Sequence, residues 1–179
     1  DGPDGFQYYW HDLRKDQKFL SRRAMGGQSV MVWAGVGSLG KTEIAFTTGR
    51  LNADAYVSIL ESHLIGADPD IFHEDWLFMQ DNAPIHTAQT TMEWLESNEI
   101  DVISWPAYSP DMNPIENVWG LLVRKVYANG QQFNSVSDLK ASIVKCWDQI
   151  SVEEIQNFTN SMPDRIFQLI KKNGGHTKY

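Results

Sequence analysis

Two carboxylates stand at positions where they could act on a phosphate ester. Asp81 ends a short apolar run, WLFMQD, just before a turn and a helix, and Glu116 falls in the first turn of a longer helical pattern. In open α/β sheets, ligands bind at the carboxyl ends of the strands, where Asp81 would lie. A strand-end carboxylate and a helix-borne carboxylate can converge on one divalent ion, as metal-assisted phosphoryl transfer requires.

Each acid also has a purely structural interpretation. Asp81 is equally well explained by an Asx turn or by a cap for the following helix, and Glu116 by the helix dipole, which favours an acid in the first turn. The pair is more informative than either member, because Mg²⁺ prefers carboxylate oxygens and keeps several waters, so that few protein ligands suffice. On the residues alone, both interpretations stay open.

The charges are unevenly distributed along the chain. A net charge of −8, taken alone, argues against a nucleic-acid partner. Residues 51–123 contain thirteen Asp and Glu and no Lys or Arg, which is typical of a solvated acidic face or of a pocket that recruits divalent cations. Basic residues flank this region on both sides, in the segment from Asp164 to Tyr179 and in a loop that contains Arg14, Lys15, Lys18, Arg22 and Arg23. An acidic centre with basic margins suits a protein that holds metal and binds a polyanion.

The composition predicts one soluble globular domain. The chain has 179 residues, of which 42% are hydrophobic and 21% charged, close to the average for such domains. Its single cysteine, Cys146, cannot form an internal disulfide, so a reducing compartment is the simpler prediction. We expect no membrane span and no signal peptide, because no apolar run is long enough and the chain starts with the acidic stretch DGPDG.

Hydrophobic periodicity predicts an α/β chain with no internal repeat. Apolar and β-branched runs bounded by glycine or turn residues predict strands over 5–10, 28–37, 41–48, 76–81 and 101–106. Helical spacing predicts helices from Asn52 to Asp68 and over 86–98, 114–128, 134–150, 151–162 and 164–173. Asn52 is a suitable N-cap for the first of these helices. The helix that carries Glu116 can be capped by Asp111 or Asn113, with Pro114 in its first turn. One apolar face is predicted for it, formed by Ile115, Val118, Trp119, Leu122, Val123 and Val126.

Two long blocks carry a family resemblance. MQDNAPIHTA and SWPAYSPDMNPIENVWG resemble the two signature blocks of Tc/mariner superfamily DNA transposases. The 34 residues between Asp81 and Glu116 match the spacing of the second and third catalytic acids in the Tc-type branch. GGQSVMVWAGV upstream and DLKASIVKCW downstream resemble the same family, so the similarity covers essentially the whole chain.

The resemblance implies a fold and a chemistry. The fold would be RNase H-like, an α/β mixed sheet with flanking helices and a helical C-terminal tail. An Asp-Asp-Glu triad would hold Mg²⁺ or Mn²⁺, as two ions in the family's manner, with Asp81 and Glu116 as ligands. The family cuts transposon ends in double-stranded DNA by hydrolysis and joins the 3′-hydroxyl to a target TA dinucleotide. The resemblance also implies a nuclear location and a homodimer in the complete protein.

Further contacts are implied at two places. His86 stands in the first block and could touch DNA or the metal shell, although a plain helix-start histidine is the alternative. The basic loop with Arg14, Lys15, Lys18, Arg22 and Arg23 lies where mariner-type enzymes have a loop that contacts the partner subunit and DNA. A solvated surface loop explains the same residues.

The chain departs from the family pattern at its start. The family's first catalytic Asp lies on a first strand, in an SDE-like block upstream of the segment that resembles residue 1 onward, and its helix-turn-helix DNA-binding region precedes that. Asp1, Asp4 and Asp12 have no SDE-like context. We therefore expect residues 1–179 to be the catalytic domain without that strand, inactive by itself, with the strands at 28–37 and 76–81 lacking a partner between them. The alternatives are a non-catalytic DNA-binding or assembly module derived from a transposable element, and a generic RNase H-like nuclease.

Overall fold

The computed structural model describes residues 30–47, 49–175 and 177–179. The predicted strand at 5–10, the acids Asp1, Asp4 and Asp12, and the basic loop over 14–23 therefore lie outside the described residues. Within the described ranges, two strands and six α-helices follow in chain order: β1 (Met31–Trp33), β2 (Ala45–Thr47), α1 (Ala53–Ile59), α2 (Gln89–Ser97), α3 (Pro114–Val126), α4 (Val136–Asp148), α5 (Val152–Thr159) and α6 (Met162–Lys171).

The described residues contain less β structure than the sequence predicts for them. β1 and β2 pair antiparallel with Val32 opposite Phe46, so both predicted strands exist in shortened form. The predicted strands at 76–81 and 101–106 are wrong as full strands, since in the described chain they meet only in a parallel bridge between Phe78 and Val102. Phe78 donates to the Asp101 carbonyl at 2.8 Å and accepts from the Ile103 amide at 2.9 Å, and two bonds through one residue do not make a ladder.

A cavity of about 480 Å³ separates the two pieces of β structure. Its lining includes residues 32–38 on one side and residues 76–81 on the other. Among the described residues, no strand pairing joins these two segments. The prediction that a strand outside this chain pairs with both of them stays a prediction.

The helices follow the sequence signals closely. The Asn52 side chain accepts from the Ala55 amide at 2.9 Å and starts α1, which continues as a π-helical turn over Leu60–Ile65. Asn113 caps α3 by accepting from the Ile115 amide at 3.1 Å, and Pro114 occupies its first turn as predicted. α2 begins only at Gln89, because the residues before it form a turn in which the amides of His86 and Thr87 donate to the Ala83 carbonyl.

Two apolar clusters hold these elements in place. The larger joins α3, α4 and α5 to the end of β1, and its buried members include Val118, Leu122, Val126, Trp147 and Ile155. The smaller packs Tyr56 and Leu60 against Leu95 of α2. The apolar face predicted for α3 is thus confirmed, and it fixes the helix whose first turn carries Glu116. Within the described ranges, no helix is long and apolar enough to cross a bilayer.

Candidate active site

A turn holds the Asp81 carboxylate in a defined orientation. The Ala83 amide donates to Asp81 Oδ1 at 2.9 Å, so the Asx turn that the sequence allowed is present. His86 Nδ1 lies 2.6 Å from the same oxygen. Because both contacts go to Oδ1, the second oxygen, Oδ2, is the one available to a ligand. The side chain of Asp81 is 63% exposed, whereas that of His86 is only 19% exposed.

A buried network supports His86 from behind. Its ring lies 4.5 Å, centroid to centroid, from the ring of Tyr56. The Tyr56 hydroxyl donates to Gln80 Oε1 at 2.8 Å, and Gln80 Nε2 donates to the His86 carbonyl at 3.2 Å. Burial raises the pKa of the Tyr56 phenol above its ordinary value, so the hydroxyl remains a donor at neutral pH. The network fixes the imidazole, which in turn contacts Asp81.

Glu116 is positioned by a loop rather than by a strand. A short 3₁₀ turn over Pro110–Met112 leads into Asn113, the N-cap of α3, and the Glu116 amide donates to the Asn113 carbonyl at 3.2 Å. Pro110 is the first residue of this turn and Pro114 the first of α3, and their rings restrict the backbone at both places. The Glu116 side chain is exposed and is free to accept a ligand.

The two acids converge on the same space. Asp81 and Glu116 both line the 480 Å³ cavity and a second cavity of about 350 Å³ between the turn after Asp81 and the loop before Glu116. Asn113 lines both cavities too. Asn82, at the edge of the second, donates to the Trp105 carbonyl at 2.8 Å and ties the turn to the loop. The structure thus brings together the two acids that the sequence predicted; their role as metal ligands stays a prediction.

The donor set suits a hard divalent cation. Asp81 and Glu116 offer carboxylate oxygens, the ligands that Mg²⁺ and Mn²⁺ prefer. They are the two carboxylates that line these cavities among the described residues. No group of three His, Cys, Asp or Glu side chains that could hold a metal ion occurs in this part of the chain. A metal bound here would therefore take its remaining ligands from water, substrate or residues outside the described ranges.

His86 lies in the turn before α2 and not in the helix that was predicted to begin at this residue. It precedes α2 by three residues, so the interpretation as a helix-start histidine is wrong. The imidazole contacts Asp81 directly and lies at the 480 Å³ cavity, next to the predicted metal ligand. Its proposed contact with DNA stays a prediction, and the candidate DNA contacts Arg14, Lys15, Lys18, Arg22 and Arg23 fall in the part of the chain that is not described.

The sequence did not point to several residues that support or border the site. Gln80 and Tyr56 belong to different elements, and their contact over 24 residues has no local signal. Tyr108 is 99% exposed at the rim of the second cavity and has a φ of +55°. No local signal marks it for a positive φ, since it is not a Gly, Asn or Asp and does not directly precede a proline.

Comparison with known proteins identifies the family. Residues 3–140 match the DDE superfamily endonuclease family, so the chain belongs to that family. Its relatives and structural neighbours make it a catalytic domain of the Tc1/mariner transposase type, which confirms the resemblance of the two blocks. The family to which the chain belongs is therefore one of enzymes.

Two relatives illustrate the match. The Tc3 transposase of Caenorhabditis elegans is 40% identical over 179 residues, which is 100% of this chain and 54% of the relative. The Tcb1 transposase of Caenorhabditis briggsae is 30% identical over 154 residues, 86% of this chain and 56% of the relative. The chain thus spans about half the length of the curated relatives it matches.

The solved structures confirm the predicted RNase H-like fold. The Mos1 transposase paired-end complex with left transposon end superimposes with a TM-score of 0.81 at 20% identity, covering 95% of this chain and 51% of that chain. The catalytic domain of Mos1 mariner transposase gives 0.72 at 22% identity, covering 83% and 76%. The predicted RNase H-like class with flanking helices and a helical C-terminal tail is therefore confirmed, although the sheet among the described residues is a small antiparallel one rather than the mixed sheet that was predicted.

Proposed function

We propose that this domain binds divalent metal through Asp81 and Glu116 and performs the DNA cleavage and strand transfer of a transposase. The observation that carries the proposal is the convergence of these acids, one from a turn and one from a helix, on the same two cavities. Mos1 catalytic domains with the same fold have been solved with Mn and with Mg, which supports the choice of metal. We propose two ions, as in two-metal phosphoryl transfer.

In this proposal, Asp81 and Glu116 hold the metal, and the residues around them orient the two carboxylates. A bound metal would lower the pKa of the attacking water or 3′-hydroxyl and neutralise charge on the phosphate. Asp81 presents Oδ2 while its Oδ1 is fixed by the Ala83 amide and His86. Glu116 approaches from a capped helix end, so its backbone is already ordered before substrate arrives. Preorganisation of this kind keeps the carboxylates from rearranging during the reaction.

The substrate we propose is double-stranded DNA that carries transposon ends, with a TA dinucleotide as the target. Mos1 neighbours have been solved as a paired-end complex with left transposon end and as a strand transfer complex, which supports DNA as the partner. We also propose a homodimer for the complete protein and a nuclear site of action. Arg14, Lys15, Lys18, Arg22 and Arg23 are the proposed phosphate contacts, with His86 closer to the metal.

We expect the 179 residues by themselves to bind metal without turning over DNA, because only two carboxylates reach the cavities from the described residues. The same observation favours a second candidate function, a non-catalytic DNA-binding or assembly module derived from a transposable element. The two differ in metal dependence. An assembly module would bind DNA equally well with and without Mn²⁺, and its carboxylates would have no preferred metal.

Paramagnetic broadening by Mn²⁺ tests the site without requiring turnover. In ¹H–¹⁵N spectra of the chain, we expect Mn²⁺ to broaden the amides next to Asp81 and those next to Glu116 at the same metal concentration. Asp81→Asn and Glu116→Gln should each weaken Mn²⁺ binding about tenfold or more, because each removes one charged oxygen ligand. Glu61→Gln is the matched control, since Glu61 is an exposed acid of the same acidic region.

The outcome separates the two functions. Joint broadening at both acids, lost in both variants and kept in Glu61→Gln, supports the metal-dependent function. Broadening that is scattered over the acidic surface, or equal losses in all three variants, would show that residues 51–123 are an acidic face and would overturn the proposed site.

A further inference from the structure

Arg165 of α6 is a charged side chain with no exposed surface. All three groups of its guanidinium donate to nearby oxygens: Nε to Ser161 Oγ at 2.8 Å, Nη1 to the Asp111 carbonyl at 2.7 Å and Nη2 to Asn117 Oδ1 at 2.6 Å. Ser161 precedes the same helix, whereas Asp111 and Asn117 belong to another part of the chain. Arg165 therefore joins α6 to the start of α3.

The residues that Arg165 contacts bracket Glu116. Asn117 follows Glu116 directly, and Asp111 lies in the 3₁₀ turn that leads into α3. A guanidinium is planar, and its donors have a fixed relative geometry. When it bonds Asp111 and Asn117 together, it sets the distance between the turn and the first turn of the helix. The direction in which Glu116 leaves the backbone depends on that distance.

Residues 177–179 cover the guanidinium. The Thr177 amide donates to Asp111 Oδ2 at 2.7 Å, and the Tyr179 ring lies 4.5 Å from the guanidinium carbon of Arg165. Burial lowers the pKa of Arg165 from its ordinary value, while Tyr179 and Asp111 act to raise it. Burying a charge is costly unless hydrogen bonds compensate, so an apolar residue at this position would fill the space more cheaply. A simple packing role does not explain why a guanidinium is used.

We propose that Arg165, closed over by Thr177 and Tyr179, is a positioning residue for Glu116. The inference rests on the proposed function, in which Glu116 is a metal ligand. Arg165 acts through the backbone on either side of Glu116 and does not touch metal or DNA. Helix α6 and residues 177–179 thereby become part of the support of the active site, although they come well after α3 in the sequence.

A double-mutant cycle in Mn²⁺ affinity tests this role. Arg165→Met should raise the Mn²⁺ Kd about tenfold, and broadening should persist at the amides near Asp81 but disappear near Glu116. In a Glu116→Gln background, adding Arg165→Met should change the Kd less than twofold, because the two residues act through one ligand. Lys171→Met, which removes an exposed cation from the same helix, should leave the Kd unchanged.

A milder variant and a metal-free readout complete the experiment. Tyr179→Ala keeps the guanidinium and removes its cover, and we expect faster hydrogen exchange at the amides of Ile115, Glu116 and Asn117 and a Kd raised a few-fold. If the exchange of these amides is unchanged in Tyr179→Ala and in Arg165→Met, the positioning role is overturned. If Arg165→Met weakens Mn²⁺ binding equally with and without Glu116, the effect is general destabilisation and the role is again overturned.

Failure of the proposed function gives a different result. In that case the wild-type chain shows no Mn²⁺ broadening at Asp81 or Glu116, while the exchange rates at the start of α3 still decide whether Arg165 orders the turn that carries Glu116.

Discussion

Nδ1 of His86 lies 2.6 Å from Oδ1 of Asp81. The imidazole packs against the ring of Tyr56, and Gln80 donates to the backbone carbonyl of His86. The contact assigns separate tasks to the two carboxylate oxygens. Oδ1 is used by the protein, and Oδ2 is left for a ligand. A carboxylate that is oriented in this way binds metal without first losing rotational freedom.

Replacing His86 tests that assignment. His86→Ala leaves Asp81 with one fixed contact, the Ala83 amide, so we expect the Mn²⁺ Kd to rise several-fold while the fold is retained. The Kd is measured by titration of the chain with Mn²⁺. His63→Ala, which removes a half-buried histidine elsewhere, is the control. A Kd within twofold of wild type in His86→Ala would mean that the Asx turn alone orients Asp81.

Lys41 is predicted to stabilise the end of α4. Its ammonium group donates to the backbone carbonyls of Trp147 and Asp148, the last two residues of that helix, and of Ile150, just beyond it. Lys41→Met leaves these carbonyls without the donor, and we expect the free energy of unfolding in urea to fall by about 1–2 kcal/mol. Lys145→Met, an exposed cation in the last turn of α4, should change it by less than about 0.5 kcal/mol. Equal losses in the two variants would contradict the capping role.

The capping box of α5 predicts a pH dependence of stability. The Ser151 amide donates to Glu154 Oε2 at 2.9 Å, and Lys125 Nζ lies 3.2 Å from Oε1. The backbone hydrogen bond from Ser151, and to a smaller extent Lys125, lower the pKa of Glu154 below its ordinary value of 4.5. Because the unfolded state then takes up the proton first, this contribution is present above pH 4.5 and is lost as the pH falls through the lower folded value.

Glu154→Gln should therefore narrow the difference in urea midpoint between pH 7 and pH 3. Glu43→Gln, at an exposed position outside the capping box, should leave the difference as it is in the wild type. The prediction fails if Glu154→Gln and the wild type lose the same stability on acidification.

Tyr108 is predicted to store strain at the rim of the site. Its φ of +55° is unfavourable for a residue with a Cβ, and its side chain is 99% exposed, so no packing offsets the strain. We expect Tyr108→Gly to raise the free energy of unfolding by about 0.5–1 kcal/mol, the net of relieved strain and greater unfolded-state entropy. Tyr108→Ala keeps the Cβ and should show no gain. Similar values for the Gly and Ala variants would mean that the backbone at this position is not strained.

Sequence reasoning succeeded where the signal was local. The N-caps at Asn52 and Asn113, the proline in the first turn of α3 and the apolar face of that helix all depend on neighbours within about four residues, and all are confirmed. The two acids were found because each follows a recognisable local pattern, a strand-like run before a turn and a helix start. The family blocks, which are contiguous in sequence, were recognised for the same reason.

The lengths of the strands could not be read from the sequence. The run at 76–81 has the composition of a buried strand, but strand length depends on which backbone groups find partners. Among the described residues, the pairing of this run is a single bridge between Phe78 and Val102. The boundary of α2 shifted because Asp81 and Ala83 form a turn whose hydrogen bonds compete with an earlier helix start.

The sequence by itself determined the family, the start of α3 and the identity of the two acids, because these are encoded in residue types at short, fixed spacings. The tertiary structure decided which residues support those acids. Arg165 meets Asp111 across 54 residues, and Tyr56 meets Gln80 across 24. Such contacts exist only when helices pack, since no local periodicity brings a buried guanidinium to the loop that presents Glu116.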